Sequence, residues 1–324
     1  MPFTSPSVRL AATASTLLLA LHGPAVALDV RSYASQVNDV DAVNTHWFET
    51  SDGAVIVDAQ RILPEAERAL EHLRATTDQP VTAIVITHAH TDHYGGLPVW
   101  TAAFPEAVIY TDRTTHDSIV NDRRGFIAAR RERHGERFPT LGELQSAMAN
   151  ATIVADGQEI DVGKTALTFH VLGASEAEAH TLVTVPEENV TFVGDLVSVG
   201  VPAVPLESLD AWLAQLALLE TRFDGHRLYQ GHGPAPIAGA EIAEQRRFLE
   251  RLDELVVDAV ADGTFDVDER DAAVFALEAE WPFHAGVAGN TRQQILGFSL
   301  QRVAEQKGAE LGEGVGFGIA EGDE

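Results

Sequence analysis

His88-Ala89-His90-Thr91-Asp92-His93 follows directly on Val81-Thr82-Ala83-Ile84-Val85-Ile86-Thr87. The preceding run is apolar and β-branched, which reads as a strand buried on both faces. The His-rich run therefore lies on the loop at that strand's carboxyl end. It places four metal-competent side chains within six residues. Neutral imidazole and carboxylate are donors suited to zinc, iron or manganese. Residues 88 and 90 can face one ion while 92 and 93 face another, if the backbone turns sharply. Tyr94-Gly95-Gly96 supplies the flexibility to leave that turn. A solvated polar loop accounts poorly for four such residues straight after a buried strand.

Working outward, Val43–Phe48 and Gly53–Asp58 read as a hairpin around Ser51-Asp52-Gly53. Leu63–Arg74 has helical spacing, with Pro64 in its first turn. Gly95–Ala103 is expected as a short helix and Ala107–Tyr110 as the next parallel strand. Residues 112–150 are polar, with Arg123, Arg124, Arg130, Arg131, Arg133 and Arg137 standing out in an acidic chain. They are expected as two helices or a lid, and the arginines as a solvated face ahead of a substrate patch. Strands are expected near 152–155, 166–172, 181–185 and 189–193, the last two joined by Pro186-Glu187-Glu188. A helix over 210–222 and a strand over 226–230 lead into Gly231-His232-Gly233-Pro234. Helical patterns fill 237–262, 267–280 and 290–307. Strands and helices alternating twice over suit two sheets packed between helices.

The chain has 324 residues, and residues 1–27 read as an export signal. Arg9, a short apolar stretch around Leu17–Leu21 and Ala25-Val26-Ala27 before Leu28 give its three parts. The apolar stretch is well short of the roughly 20 residues that a bilayer span needs. The expectation is a periplasmic or secreted protein without a stable membrane anchor, with one domain over 28–307 and a flexible tail over 308–324. The formal charge is −27, from 49 acidic and 22 basic residues. Such a field repels phosphate backbones, so nucleic acid is not an expected partner. There is no cysteine, so any metal must be held by His, Asp and Glu.

The run 88–93 resembles the signature of the metallo-β-lactamase superfamily, and the resemblance extends over roughly 40–235. It implies an α/β fold, the αββα sandwich of two mixed β-sheets between helices. It implies that Asp58, ending the second hairpin strand, orients the His loop from behind. It makes Asp195, in Phe192-Val193-Gly194-Asp195, the carboxylate that bridges two metals, and His232 the last ligand of the second. One motif departs from the family, which normally places a His before the strand that leads into the hairpin. Glu176 stands ten residues before Pro186, as that ligand does, whereas His180 stands six before it. Glu176 is therefore preferred, as in the alkyl sulfatases of the superfamily. His180 remains the alternative ligand or a group behind the ligands. His46, His72, His116, His134, His170, His226 and His284 lack ligand-like surroundings.

The resemblance thus implies two divalent ions, zinc first and manganese or iron next. His88, His90 and Glu176 would hold one, Asp92, His93 and His232 the other, with Asp195 between them. A water activated by the metals, its pKa drawn from about 15.7 towards 7, would attack the substrate, with Asp92 orienting it or carrying its proton. The substrate is expected to be a small ester or lactone. Alkyl sulfatases are longer, with further C-terminal domains, which puts sulfate-ester hydrolysis second. β-Lactam hydrolysis ranks lower, because those enzymes generally lack the bridging aspartate. The alternatives from other classes are an iron enzyme such as a persulfide dioxygenase and a non-catalytic metal-binding scaffold. The oligomeric state has no signature in the sequence.

Overall fold

The computed structural model describes residues 27–35, 42–281, 283 and 289–315. The expected export signal up to residue 26, His284 and residues 316–324 of the expected tail lie outside the described residues.

The amino-terminal half builds one mixed sheet. Its strands are β1 (Val30–Ala34), β2 (Asn44–Glu49), β3 (Ala54–Val57), β4 (Val81–Val85), β5 (Val108–Thr111) and β6 (Thr152–Ile153), in that spatial order. β1, β2 and β3 pair antiparallel, and β3 to β6 run parallel. The connecting helices are α1 (Leu63–Thr76), α2 (Thr91–Tyr94), α3 (Leu97–Ala103), α4 (Arg113–Asn121), α5 (Phe126–His134) and α6 (Leu141–Met148). The second sheet has the order β12-β11-β10-β9-β8-β7. Its strands are β7 (Glu159–Val162), β8 (Thr165–Leu172), β9 (His180–Val185), β10 (Val190–Gly194), β11 (Arg227–Gln230) and β12 (Ile237–Ala238). Helices α7 (Leu209–Arg222), α8 (Ile242–Ala259), α9 (Val267–Glu280) and α10 (Gly289–Gln306) complete the fold, with a two-stranded ribbon of β13 (Thr264–Phe265) and β14 (Glu310–Leu311).

Side-chain alternation makes this four layers. In β3, Val55 and Val57 enter a core shared with Phe169, Val183 and Phe192 of the other sheet. Ala54 and Ile56 face the opposite way, against Ala66, Leu70 and Leu73 of α1 and Trp100 of α3. Leu182, Val193 and Leu228 of the second sheet meet Trp212, Leu216, Phe248, Leu277 and Leu300 of the carboxyl-terminal helices. The order helix, sheet, sheet, helix is the αββα sandwich that the sequence implies.

Some local expectations need correction. The helix expected over 95–103 begins two residues later, as α3 at Leu97, and a separate one-turn helix, α2, precedes it inside the His run. Gly95 and Gly96 are there for close approach rather than flexibility: a Cβ on the first would collide with the carbonyl oxygen of Arg61, and on the second with that of Ala59. β7 escapes the sequence reading because it is a four-residue edge strand that alternates between acidic and apolar residues. The helix expected from 237 begins at Ile242, since Ile237 and Ala238 pair with β11. Of the expected tail, Val315 is fully buried and Glu310–Leu311 pairs with Thr264–Phe265.

Candidate metal centre

Four strand ends converge at one edge of the sandwich. β3 delivers Asp58, β4 delivers the loop 87–93, β10 delivers Asp195 and β11 delivers His232. The loops are fixed by backbone bonds between them. Ala59 N donates to His93 O at 2.7 Å, Gly231 N to Gly194 O at 3.0 Å, and Thr181 N to Thr87 O at 2.7 Å.

The side chains form two groups whose donor atoms lie within 4.8 Å of one another: His88, His90, Glu176 and Asp195, and Asp92, His93, Asp195 and His232. In the first, His90 Nδ1 lies 3.1 Å from Glu176 Oε1 and His88 Nε2 lies 3.8 Å from Glu176 Oε2. In the second, His232 Nε2 lies 3.1 Å from Asp92 Oδ2 and His93 Nε2 lies 3.3 Å from it. Asp195 Oδ2 serves both, at 3.7 Å from His88 Nε2, 3.3 Å from His93 Nε2 and 3.1 Å from His232 Nε2.

These spacings fit a metal better than they fit hydrogen bonds alone. A tetrahedral ion with donors at about 2.1 Å separates those donors by about 3.4 Å. His93 Nε2 and Asp195 Oδ1 are buried with no hydrogen-bond partner among the described residues. Leaving such groups unsatisfied is costly, so buried polar atoms of this kind call for a further partner. The charges agree. Burial works against both cations, yet the carboxylates of Asp195 and Asp92 push His232 up to about 10 and His93 well above the ordinary histidine range. Protons thus occupy the place that divalent cations would take. His88 goes the other way: burial first, then His93 and His90, hold it neutral.

Asp58 stands behind His93. Its Oδ2 accepts the Nδ1 proton at 2.7 Å, which leaves Nε2 as the donor atom towards the site. The same carboxylate takes bonds from Thr87 N and Thr87 Oγ1 at 3.0 Å. His180 is in contact with the site but sits outside both groups. Its Nε2 accepts from Ala177 N–H at 3.2 Å, and burial lowers the ring to about 3. The lone pair that a ligand would offer is therefore spent on the loop that carries Glu176.

Several contributors are invisible in the sequence. His46 reads there as ordinary, yet it is buried and its Nε2 bonds Gln230 O at 2.9 Å, just before His232. Asn44 Nδ2 donates to Gln230 O at 3.0 Å and Gly233 O at 3.1 Å. Arg61 and Arg130, both buried, reach the His loop from its far side. Phe126 lies beside His90, with ring centres 6.3 Å apart, and Arg124 stacks on it and pairs with Glu207.

The model of the metallo-beta-lactamase superfamily matches residues 38–261. The chain belongs to that superfamily. Among curated relatives, the lactamase-like protein ptaB of Pestalotiopsis fici is 26% identical over 223 residues, which is 67% of this chain and 60% of that one. The linear primary-alkylsulfatase of Pseudomonas sp. is 25% identical over 229 residues, 61% of this chain and 42% of that one. The chain thus spans between about two-fifths and three-fifths of the length of these relatives. A beta-lactamase domain protein from Burkholderia ambifaria shares the fold, with a TM-score of 0.59 at 18% identity, over 85% of this chain and 84% of that one.

Proposed function

We propose that this superfamily member is a hydrolase that works with two divalent ions, zinc first, on small ester- or lactone-type substrates. The observation that carries the reading is that one oxygen, Asp195 Oδ2, faces both ligand groups. His88, His90 and Glu176 would hold one ion; Asp92, His93 and His232 the other. Bound there, such ions supply Lewis-acid polarisation and a water acidic enough to act as a nucleophile near neutral pH.

The chain's own residues do the rest. Asp58 fixes the tautomer of His93 by holding its Nδ1 proton. Asp92 presents Oδ2 to the centre, between His93 and His232. The side chains of His90 and His232 are the most exposed of the seven, at 12% and 18%, so substrate approaches on their side. Phe126, next to His90, offers an apolar surface to the group carried by the ester. The net charge of −27 favours the approach of a neutral ester over an anionic one.

Sulfate-ester hydrolysis is the second reading, favoured by Glu176 at the third ligand position and by the alkylsulfatase relative. Zinc-loaded protein assayed on chromogenic carboxylic esters, lactones and sulfate esters separates the two. Equal, background rates on all carboxylic esters and lactones would sink the first reading. Export is part of the proposal. Leu28 N–H bonds Glu188 Oε2 at 2.9 Å, so a chain cleaved before Leu28 would place its new ammonium against a carboxylate. Amino-terminal sequencing of protein from a periplasmic or medium fraction checks it, and an intact Met1 overturns it.

A further inference from the structure

Two arginines are buried behind the His loop, Arg61 at 6% exposure and Arg130 at 4%. A guanidinium is costly to take out of water before its partners are counted, so two at one place call for a reason. Both point at the same hydroxyl. Arg61 Nη1 donates to Thr91 Oγ1 at 3.3 Å and Arg130 Nε donates to it at 3.2 Å. Thr91 is itself buried, between His90 and Asp92. Arg61 Nη2 continues to Asp92 Oδ1 at 3.5 Å. The two oxygens of Asp92 are therefore divided: Oδ1 faces Arg61, while Oδ2 faces His93 and His232.

We propose that Arg61, braced by Arg130 through Thr91, is the positioning residue for Asp92. It holds the carboxylate so that only Oδ2 addresses the second ion, and it takes Oδ1 out of service as a proton acceptor. A planar guanidinium suits this work, since it presents several donors in one fixed fork and never deprotonates. The backbone supports the same arrangement. Gly95 lies so close to the Arg61 carbonyl that a side chain there would collide with it, which locks the Arg61 turn to the end of the His loop. Asp92 then serves as a ligand and orienting group rather than as a base. The inference rests on the two-ion reading and sharpens the role of one ligand within it.

The test is metal binding to protein stripped by chelation, measured by equilibrium dialysis with zinc and by the visible spectrum with cobalt. Wild type should take up two ions. Arg61→Met should keep the first ion and bind the second 10- to 100-fold more weakly, the usual effect of losing a group behind a ligand. It should also change the cobalt band of the second ion. Arg61→Lys, which keeps the charge without the fork, should fall between. Thr91→Val removes the hydroxyl through which Arg130 braces Arg61 and should weaken the second ion about tenfold; it decides the matter if Arg61→Met does not fold. Wild-type affinity and an unchanged cobalt spectrum in folded Arg61→Met, or in Thr91→Val, overturn the proposal. A wild-type protein that binds a single ion overturns the two-ion reading itself.

Discussion

Asp58 Oδ2 accepts the Nδ1 proton of His93 at 2.7 Å from a backbone held at φ 62°. A non-glycine residue in the left-handed region costs about 1–3 kcal/mol, and such strain persists only where the surroundings impose it. Here they do: Asp58 N donates to Val85 O at 2.9 Å, and Thr87 bonds the carboxylate through its N–H and its hydroxyl. One strained residue thereby joins the ends of β3 and β4 and sets the tautomer of a candidate ligand.

Asp58→Asn tests that role at nearly constant shape. An amide can still accept from Thr87, but it stabilises the His93 N–H poorly and can present an N–H to Nδ1 instead. Zinc affinity is expected to fall 10- to 100-fold with the fold retained, read by competition with a chromogenic chelator. Unchanged affinity would remove Asp58 from the metal centre.

Glu176 and His180 are separated by a pair of substitutions. Glu176→Ala should lower the zinc bound per chain from about two to about one. His180→Gln should leave the stoichiometry alone, because His180 spends its Nε2 lone pair on Ala177 N–H. It should cost roughly 1–3 kcal/mol of stability, the penalty for disturbing a buried bond. The reverse pattern would make His180 the ligand. Inductively coupled plasma analysis of dialysed protein gives the count, and urea denaturation the stability.

Acid should weaken the fold through His46. Burial holds its ring at about 4, against about 6.5 for an exposed histidine. Between those values the unfolded chain binds the proton and the folded one does not. Stability from this group is therefore complete above about pH 6.5 and declines as the pH falls towards 4. The full interval corresponds to about 3 kcal/mol. In chelator, the urea midpoint of wild type should drop between pH 7 and pH 4.5, and His46→Gln should flatten part of that drop. A midpoint in the variant that tracks wild type throughout would show that His46 carries none of it.

Most of the site can be read from the sequence because its residues sit at strand ends in motifs with fixed local order. His88 to His93, Asp195 and His232 each follow a run whose apolar pattern marks a strand. Glu176 is reached through its distance to Pro186, and the structure brings it to His88 and His90. The rest depends on contacts with no local trace. Arg130 looks like its neighbours in an arginine-rich segment, and only the packing of α5 against the His loop buries it. Arg61 has one faint signal, a lone charge between Gln60 and Ile62 just after a buried strand. His46 gives none, because its partner Gln230 lies 184 residues away. β7 is too short and too acidic on its open face to register as a strand.

Gly231 offers the strictest test of the geometry. It precedes His232, and its φ is ordinary, so backbone freedom does not explain it. A Cβ built there would overlap Asp195 Oδ1 and come within 2.7 Å of His93 Cε1. Both of those side chains belong to the second ligand group, and the glycine itself is tied on both sides, Gly231 N to Gly194 O and Asn44 N to Gly231 O. The atoms in the way are the side-chain ends of two candidate ligands, whose positions the site depends on. Gly231→Ala must therefore displace Asp195 or His93, and Asp195 serves both groups. The expected result is loss of both ions at micromolar zinc, a fall in any hydrolytic rate of at least about 100-fold, and a stability cost of about 1–3 kcal/mol for the overpacked site. Gly142 on α6 has open space where its Cβ would be, so Gly142→Ala serves as the control and should bind zinc as wild type does. Full metal content in Gly231→Ala would show that the loops around Asp195 are looser than the close packing at this glycine implies.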